Sequence, residues 1–216
     1  MITNQLAQYY AVNAQTYDAV YGEEARFDDL DDLQELIAEL LAGHKVLELA
    51  CGTAYWTDLI ADVAESVYAT DKVPEMLALA ETRGVDEDVV TFGQMDAFEL
   101  PDSVGQYTAV FAAGWWSHVK REDQEKYLKM LRAKLGKDVL LVLLDDSYVD
   151  GVSDVIARTD LEGNTHHILT AADGQRYEVM KNYPTDSTLR KKLAPAAREI
   201  RVERMKYYFL LSCRLK

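Results

Sequence analysis

Acidic residues stand at or near the ends of the first three predicted strands. Glu48 and the small-residue turn after it end the first strand, Asp71 ends the second and Asp96 follows the third. The carboxyl ends of parallel strands meet at one edge of an open sheet, and ligands bind beyond that edge. A carboxylate such as Asp71 can accept both hydrogen bonds of a ribose diol, and Asp96 could reach an adenine amino group. The spacing therefore predicts a nucleoside site.

A run of small residues follows the first strand, from Ala50 to Ala54, and a helix is predicted to begin at residue 55. Such a turn presents backbone N–H groups and the positive end of a helix dipole to a ligand. The run contains only one glycine, Gly52, so it fits neither G-x-G-x-x-G nor G-x-x-x-x-G-K-[ST]. Glu48 would also repel phosphate and suit an ammonium group. We therefore expect a cationic nucleoside without a pyrophosphate, and we expect Ala54 inside the helix, because its Cβ disfavours positive φ.

Apolar periodicity alternates between strands and helices over most of the chain. Predicted strands cover 46–49, 66–70, 88–92, 107–113 and 137–144, and predicted helices cover 28–41, 55–64, 74–82 and 122–135. This alternation predicts an α/β, doubly wound, Rossmann-like sheet. The strict alternation of strands and helices ends after residue 145. The later segments are predicted as a helix at 147–157, strands at 166–170 and 176–183, a helix at 185–193, and strands at 199–206 and 207–214. The last two are expected to form a closing antiparallel hairpin.

The N-terminal segment 3–16 is predicted to form a loose helix. Four tyrosines lie in and after it, namely Tyr9, Tyr10, Tyr17 and Tyr21. They could pack a lid helix or contact the ligand, and the sequence leaves both readings open. We expect a single domain, 1–216, divided into a lid (1–42), a cofactor-binding core (43–146), a substrate-side insertion (147–185) and a closing helix with antiparallel strands (186–216).

Composition excludes several classes of function. The 216 residues include 23 basic and 37 acidic side chains, a net charge of −14 that disfavours nucleic-acid and membrane-surface partners. The longest aliphatic run, 139–144, is too short to span a membrane, and no signal peptide is evident. Cys51 and Cys213 make no disulfide framework, so we expect a cytoplasmic protein.

Four segments resemble, as a set, the class I S-adenosylmethionine-dependent methyltransferases. Val46-Leu-Glu-Leu-Ala-Cys-Gly-Thr-Ala54 resembles the glycine-rich first motif, and Val67-Tyr-Ala-Thr-Asp71 with Pro74-Glu-Met-Leu77 resembles the ribose-binding strand and helix. Gln94-Met-Asp-Ala97 resembles the adenine segment, and Phe111-Ala-Ala-Gly-Trp-Trp-Ser-His118 resembles the motif that faces the methyl group. The resemblance implies a mixed seven-stranded sheet, S-adenosylmethionine as cofactor and S-adenosylhomocysteine as product.

The resemblance also implies a set of cofactor-binding residues. Those near the methionine portion and sulfonium would be Tyr9, Tyr17, Glu48, Ala50, Gly52, Thr53, Ala113 and Trp115. Those near the ribose and adenine would be Asp71, Lys72, Met76, Met95, Asp96 and Ala97. An aromatic face beside the sulfonium, such as that of Trp115, would be favourable through cation–π attraction.

The acceptor is expected to be a small molecule, methylated on oxygen. A general base is needed only for a protonated acceptor, and His118 and Tyr21 are the candidates. A carboxylate or phosphonate would instead need cationic partners. The candidate substrate-side residues are Trp116, Arg158, His166, His167, Lys181 and Tyr183. His166 and His167 point to opposite faces of a strand and cannot chelate one metal together, and we predict no metal site.

Three alternatives remain at this stage. A small-molecule N-methyltransferase would share the same cofactor site. A non-catalytic nucleoside-binding protein would bind the cofactor without turning over an acceptor. An NAD(P)-dependent oxidoreductase is disfavoured by the missing glycines. The sequence is compatible with a monomer or a homodimer.

Overall fold

The computed structural model describes residues 4–102 and 104–216 and contains a mixed seven-stranded sheet and a smaller three-stranded sheet. The strands in chain order are β1 (Lys45–Leu49), β2 (Ser66–Asp71), β3 (Val90–Gln94), β4 (Ala109–Ala113), β5 (Leu140–Asp146), β6 (Ile156–Thr159), β7 (Thr165–Thr170), β8 (Arg176–Met180), β9 (Ala197–Arg204) and β10 (Tyr208–Leu215). The helices are α1 (Asn4–Asn13), α2 (Phe27–Leu41), α3 (Tyr55–Ala61), α4 (Pro74–Ala80), α5 (Gln124–Leu135) and α6 (Asp186–Leu193).

The large sheet has the strand order β3-β2-β1-β4-β5-β10-β9. Strands β1 to β5 are parallel, and β10 runs antiparallel between β5 and β9. The strand order reverses between β1 and β4, and this reversal places a crevice beyond their carboxyl ends. The predicted Rossmann-like sheet with a closing antiparallel hairpin is therefore confirmed.

Burial follows the sequence pattern. Strand β5 is buried on both faces from Leu140 to Leu144, as expected near the middle of a parallel sheet. Helix α2 buries Leu30, Leu33 and Ile37 at helical spacing, and acids occupy its first turn, where the helix dipole favours them. This packing fixes the strand ends that carry the candidate site. None of the helices in the described part of the chain combines the length and apolar character that a membrane span requires.

The insertion differs from its prediction. The expected helix at 147–157 is wrong, because this segment forms tight turns and then β6, which completes the three-stranded sheet β6-β7-β8. Gly151 adopts a φ of +74°, and the Val149 amide donates to the Ser153 hydroxyl instead of continuing a helix. The valines and Ile156 that follow favour extended backbone.

The N-terminal segment packs against this insertion. Residue 3 of the predicted helix lies outside the described residues, and α1 is followed by a 3-10 segment, Ala14–Gly22. The Gln5 side chain accepts from the Glu178 amide of β8, and the Asn13 side chain accepts from the Ala172 amide. The lid and the insertion thus meet above the carboxyl end of the large sheet.

Candidate functional site

The turn after β1 is held in an unusual backbone conformation. Ala50, Gly52 and Ala54 all have positive φ values, +56°, +58° and +66°. The expectation that Ala54 lies inside the helix is therefore wrong. The turn is closed by hydrogen bonds from the Ala54 amide to the Cys51 carbonyl and from the Cys51 amide to the Thr70 carbonyl. Left-handed residues with a Cβ cost about 1–2 kcal/mol each, so the surrounding packing must impose this shape.

Asp71 anchors this turn from the end of β2. It is nearly buried, and its two carboxylate oxygens accept from the Gly52 amide at 2.9 Å and the Val73 amide at 2.8 Å. Burial raises the pKa of this carboxyl group, and the backbone hydrogen bonds oppose the rise. Each oxygen has a further lone pair, so Asp71 can also accept from a ligand.

A first cavity opens between this turn, α4, the end of β4 and the lid. It is lined by Leu6, Ala7, Tyr10, Tyr17, Ala50, Gly52, Asp71, Lys72, Val73, Met76, Met95, Ala97, Ala113, Gly114, Trp115 and His118. Its walls are mostly apolar, with Asp71 and Lys72 as charged members. A Cβ added at Gly52 or Gly114 would lie 3.6 Å from the Tyr17 ring or 3.7 Å from its hydroxyl, which are ordinary contact distances, so the lid lies directly against this edge of the sheet. The positive φ values of the two residues, +58° and +63°, are what favour glycine there.

Four predicted cofactor residues, Tyr9, Glu48, Thr53 and Asp96, do not line this cavity in the described structure. The Asp96 carboxylate binds the Lys72 ammonium at 2.6 Å and the Phe98 amide at 2.9 Å, which places it just outside the wall. The Thr53 hydroxyl donates to Asp18 in the lid. Glu48 faces the helix layer, and Tyr9 lines a neighbouring cavity instead.

The Glu48 side chain accepts a 2.7 Å hydrogen bond from the Thr57 hydroxyl of α3 and is buried. Burial raises its pKa to about 8, so this carboxyl group is largely protonated near neutral pH. The expectation that Glu48 attracts a cation at the turn is not supported by this geometry. Strand alternation places Glu48 on the same face as Val46, away from the cavity.

A second, larger cavity adjoins the first. It is lined by Tyr9, Tyr10, Asn13, Thr16, Tyr17, Val20, Tyr21, Arg26, Trp56, Ala113, Gly114, His118, Leu144, Asp145, Asp146, Asp154, Leu169, Val179, Lys181 and Tyr208. Five residues line both cavities and form what we call the junction: Tyr10, Tyr17, Ala113, Gly114 and His118. The end of β4 and two lid tyrosines thus separate the two cavities.

His118 connects the lid, the core and the insertion. Its Nδ1 lies 2.7 Å from the Met180 carbonyl oxygen, which can only accept, so Nδ1 carries the proton. Its Nε2 accepts from the Tyr10 hydroxyl at 2.9 Å. Burial and the nearby Lys181 ammonium lower the pKa of His118 to about 4. His118 is therefore neutral at physiological pH.

The second cavity carries charges of both signs. The Lys181 ammonium forms an ion pair with Asp146 at the end of β5. Burial alone would lower the pKa of Lys181, but Asp146 and neighbouring groups raise it well above its usual value. Burial raises the pKa of Asp145 to about 6, and its oxygens accept from the Ser117 and Asp146 amides. Lys181 is thus a permanent cation at neutral pH.

Most of the other predicted substrate-side residues lie away from both cavities. Arg158 and His166 occupy the outer face of the small sheet, where both contact Glu178. The adjacent His167 points inward, but it is buried and its Nε2 contacts the Lys181 carbonyl oxygen. These three do not line either cavity, because the registers of β6 and β7 point their side chains elsewhere.

The remaining substrate-side predictions divide in the same way. Trp116 is in the apolar core, and Tyr183 packs edge-on against His167. Lys181 is the one member of the predicted substrate-side set that lines a described cavity. Both predicted catalytic residues line the second cavity, and Tyr21 stacks on Tyr55 with ring centroids 3.8 Å apart.

Sequence reasoning missed several lining residues. Asp146 and Gly114 each end or follow a parallel strand, so the rule that singled out Asp71 could also have found them. No sequence pattern singles out Arg26, because it lies in a short irregular segment before α2. Tyr208 begins β10 and reaches the cavity only through the antiparallel pairing of β10 with β5.

The chain is similar to a known family model and to several known proteins. A family model described as a methyltransferase domain matches residues 46–138. A protein of Bacillus velezensis named as an uncharacterized methyltransferase is 29% identical over 82% of each chain. A similarly named protein of Bacillus thuringiensis is 25% identical over 63% of this chain, and the match covers 65% of that relative's length.

Two solved structures cover almost the whole chain. The DhpI–SAH complex has 28% identity and a TM-score of 0.77, covering 98% of this chain and 95% of that chain. The DhpI–SAM–HEP complex has 26% identity and a TM-score of 0.78, covering 99% and 97%. SAM and SAH are S-adenosylmethionine and S-adenosylhomocysteine, the donor and product of methyl transfer.

Proposed function

Because this chain belongs to the class I S-adenosylmethionine-dependent methyltransferase family, we propose that it methylates an anionic oxygen of a small molecule bound in the second cavity. S-adenosylmethionine would occupy the first cavity, and the acceptor would approach it through the junction. The observation that carries the proposal is the absence of an effective base among the titratable residues of the junction, which the structure describes in full.

The first cavity fits an adenosyl group that lacks phosphate. Asp71 offers carboxylate oxygens to a ribose diol. Met76, Met95 and Ala97 offer apolar contacts to an adenine ring. Lys72 is already paired with Asp96, so the cavity does not present a free cation for a pyrophosphate. Trp115 and the junction would lie toward the sulfonium, where aromatic faces are favourable.

The cofactor supplies a methyl group that is already activated by a positively charged sulfur. Transfer to oxygen forms a C–O bond and breaks the C–S bond, and the electron pair of that bond stays on sulfur. The protein therefore needs chiefly to align the two reactants and exclude water. Tyr17 lies beside Gly52 and Gly114, which places the lid over this position.

The junction has three titratable groups, and none suits proton removal. Burial raises the pKa values of the Tyr10 and Tyr17 hydroxyls, so they stay protonated at neutral pH. The His118 Nε2 already accepts a hydrogen bond from the Tyr10 hydroxyl. A base with a pKa of about 4 is also a poor proton acceptor at neutral pH. An acceptor oxygen that arrives as a carboxylate or phosphonate needs no base, which favours these acceptors over phenols and alcohols.

Lys181 is the residue that would hold such an anion. It lines the second cavity and contacts Asp146, whose partial exposure leaves room for an anion to share the ammonium. A structure that is 26% identical to this chain is a complex of DhpI with SAM and HEP. This likeness supports a small-molecule acceptor for this chain.

N-methylation is the second candidate function. Asp145, Asp146 and Asp154 all line the second cavity and would attract an amine. A protonated amine must lose its proton before transfer, and the junction offers no strong base for that step. These two observations together favour methylation on oxygen over methylation on nitrogen.

Replacing Lys181 with methionine tests the proposal. Lys181→Met keeps the aliphatic stem and removes the charge, so the affinity for methylphosphonate, measured on protein saturated with S-adenosylhomocysteine, should fall roughly tenfold or more. Affinity for S-adenosylhomocysteine should be unchanged, because Lys181 does not line the first cavity. The matched control is Lys129→Met, which removes an exposed Lys–Glu pair on α5. Equal methylphosphonate affinity in both variants would refute this role for Lys181.

A further inference from the structure

We propose that the acceptor carries a second anionic group, and that this group binds at the end of the second cavity formed by Tyr21, Arg26, Trp56 and Tyr208. We call these four residues the Arg26 pocket. The inference rests on the proposed function, because it assigns the far end of the same acceptor to this pocket.

Arg26 presents a partly unused guanidinium to the cavity. The guanidinium carbon Cζ lies 4.8 Å from the ring centroid of Tyr207 and 5.5 Å from that of Tyr208. Its Nε donates to Glu23 at 2.7 Å, and its Nη1 donates to the Tyr208 hydroxyl at 3.3 Å. Within the described residues Nη2 makes no hydrogen bond, so donors remain for a ligand. The aromatic contacts hold the guanidinium plane in place.

Trp56 adds a second available donor. Its side chain is 3% exposed, and its indole N–H makes no hydrogen bond of normal geometry within the described residues, although it lies near Tyr21. A buried donor without an acceptor costs about 1–3 kcal/mol. A ligand oxygen would remove that cost. The unused Arg26 donor and the poorly satisfied Trp56 N–H, both at one end of the cavity, indicate an anionic or carbonyl-rich ligand group.

The Arg26 pocket is continuous with the Lys181 end. Tyr208 of β10 pairs with Asp146 of β5, and Asp146 binds Lys181. The Tyr208 hydroxyl in turn accepts from Arg26. The charge therefore alternates across the cavity, from the Lys181 cation through the Asp146 carboxylate to the Arg26 cation.

This order of charges selects the ligand. An acceptor with an anion at each end and an uncharged middle would match both cations and keep its own charges away from Asp146. Glu23 already neutralises part of the Arg26 charge, but its side chain is about half exposed and makes one hydrogen bond to Nε. A ligand carboxylate or phosphonate can bind the free edge of the guanidinium without displacing Glu23. The substrate class is thus a small dianion, such as a dicarboxylate or a carboxylate with a phosphonate.

The test compares anions of one and two charges. Two monocarboxylates, acetate and butyrate, and four dicarboxylates, malonate, succinate, glutarate and adipate, are each titrated separately into protein saturated with S-adenosylhomocysteine. One length of dicarboxylate should bind at least about tenfold more tightly than either monocarboxylate. Arg26→Gln should reduce that ratio to about one, because it removes the cation that would bind the second carboxylate. Trp56→Phe, which keeps an aromatic ring and removes the N–H, should reduce it in part.

The control is Arg158→Gln, which removes a cation from the outer face of the small sheet and should keep the full ratio. A ratio near one at every length in the unmodified protein would overturn the inference. So would a high ratio that survives both Arg26→Gln and Trp56→Phe. Titration with S-adenosylhomocysteine alone separates this result from the proposed function: failure to bind it contradicts the proposed function, whereas binding without selection for dianions contradicts only the inference.

Discussion

Asp71→Asn should lower the affinity for S-adenosylmethionine and S-adenosylhomocysteine by roughly a hundredfold or more. A hydrogen bond to a charged group contributes about 1.5–3 kcal/mol, and a ribose diol would make two of them to this carboxylate. Asparagine keeps the shape and one acceptor oxygen, so the anchor to Gly52 or Val73 can persist in part. Titration calorimetry on the folded variant measures the loss.

The control for Asp71 is Asp62→Asn, which changes an exposed carboxylate just after α3. It should leave cofactor affinity unchanged. If Asp71→Asn lowered the melting temperature of the free protein but left the affinity intact, Asp71 would serve only to shape the turn.

Glu48→Gln should stabilise the protein at alkaline pH. The pKa of Glu48 is raised to about 8 by burial, so the folded state binds its proton more strongly than the unfolded state does. Its contribution to stability is therefore complete below the unfolded value of about 4.5 and is lost as pH rises toward 8. Glutamine cannot ionise, and its carbonyl can still accept from Thr57.

The measurement is the free energy of unfolding by denaturant between about pH 5 and about pH 9, the range over which the Glu48 contribution should be lost. The stability of Glu48→Gln relative to the unmodified protein should rise by a few kcal/mol across it, since one pKa unit corresponds to about 1.4 kcal/mol. Asp145 also has a raised pKa, of about 6, so the difference between the two proteins is the useful quantity. Glu35→Gln, an exposed position on α2, is the control. A difference that is the same at both ends of the range would show that Glu48 does not ionise in this window.

The sequence could predict residues that line the first cavity because strand ends can be read from apolar runs. Asp71 lies where the second run ends, and the structure places it in the first cavity. The expected role of Glu48 is not supported, because Glu48 lies inside β1 rather than at its end. The side-chain alternation of a strand then turned it toward α3.

The acceptor side could not be read in the same way. Whether Arg158 and His166 face inward depends on the register of β6 and β7, which includes a shift between Ile156 and Arg158. A one-residue change of register would reverse the face of each side chain, and no sequence pattern specifies it. Arg26 reaches the second cavity through an irregular segment, whose path depends on packing against Tyr207 and Tyr208. Periodicity carries no information about such contacts.

The most direct test of the account is an acceptor assay with methyl-labelled S-adenosylmethionine. A panel of carboxylates, phosphonates, phenols and amines is screened for labelled product and for release of S-adenosylhomocysteine. The account predicts labelled methyl esters of carboxylates or phosphonates, formed from a carboxylate at a rate that is nearly constant between about pH 7 and pH 9, because no base is required. Turnover confined to phenols or amines, with a rate that rises with pH as the acceptor loses its proton, would contradict it.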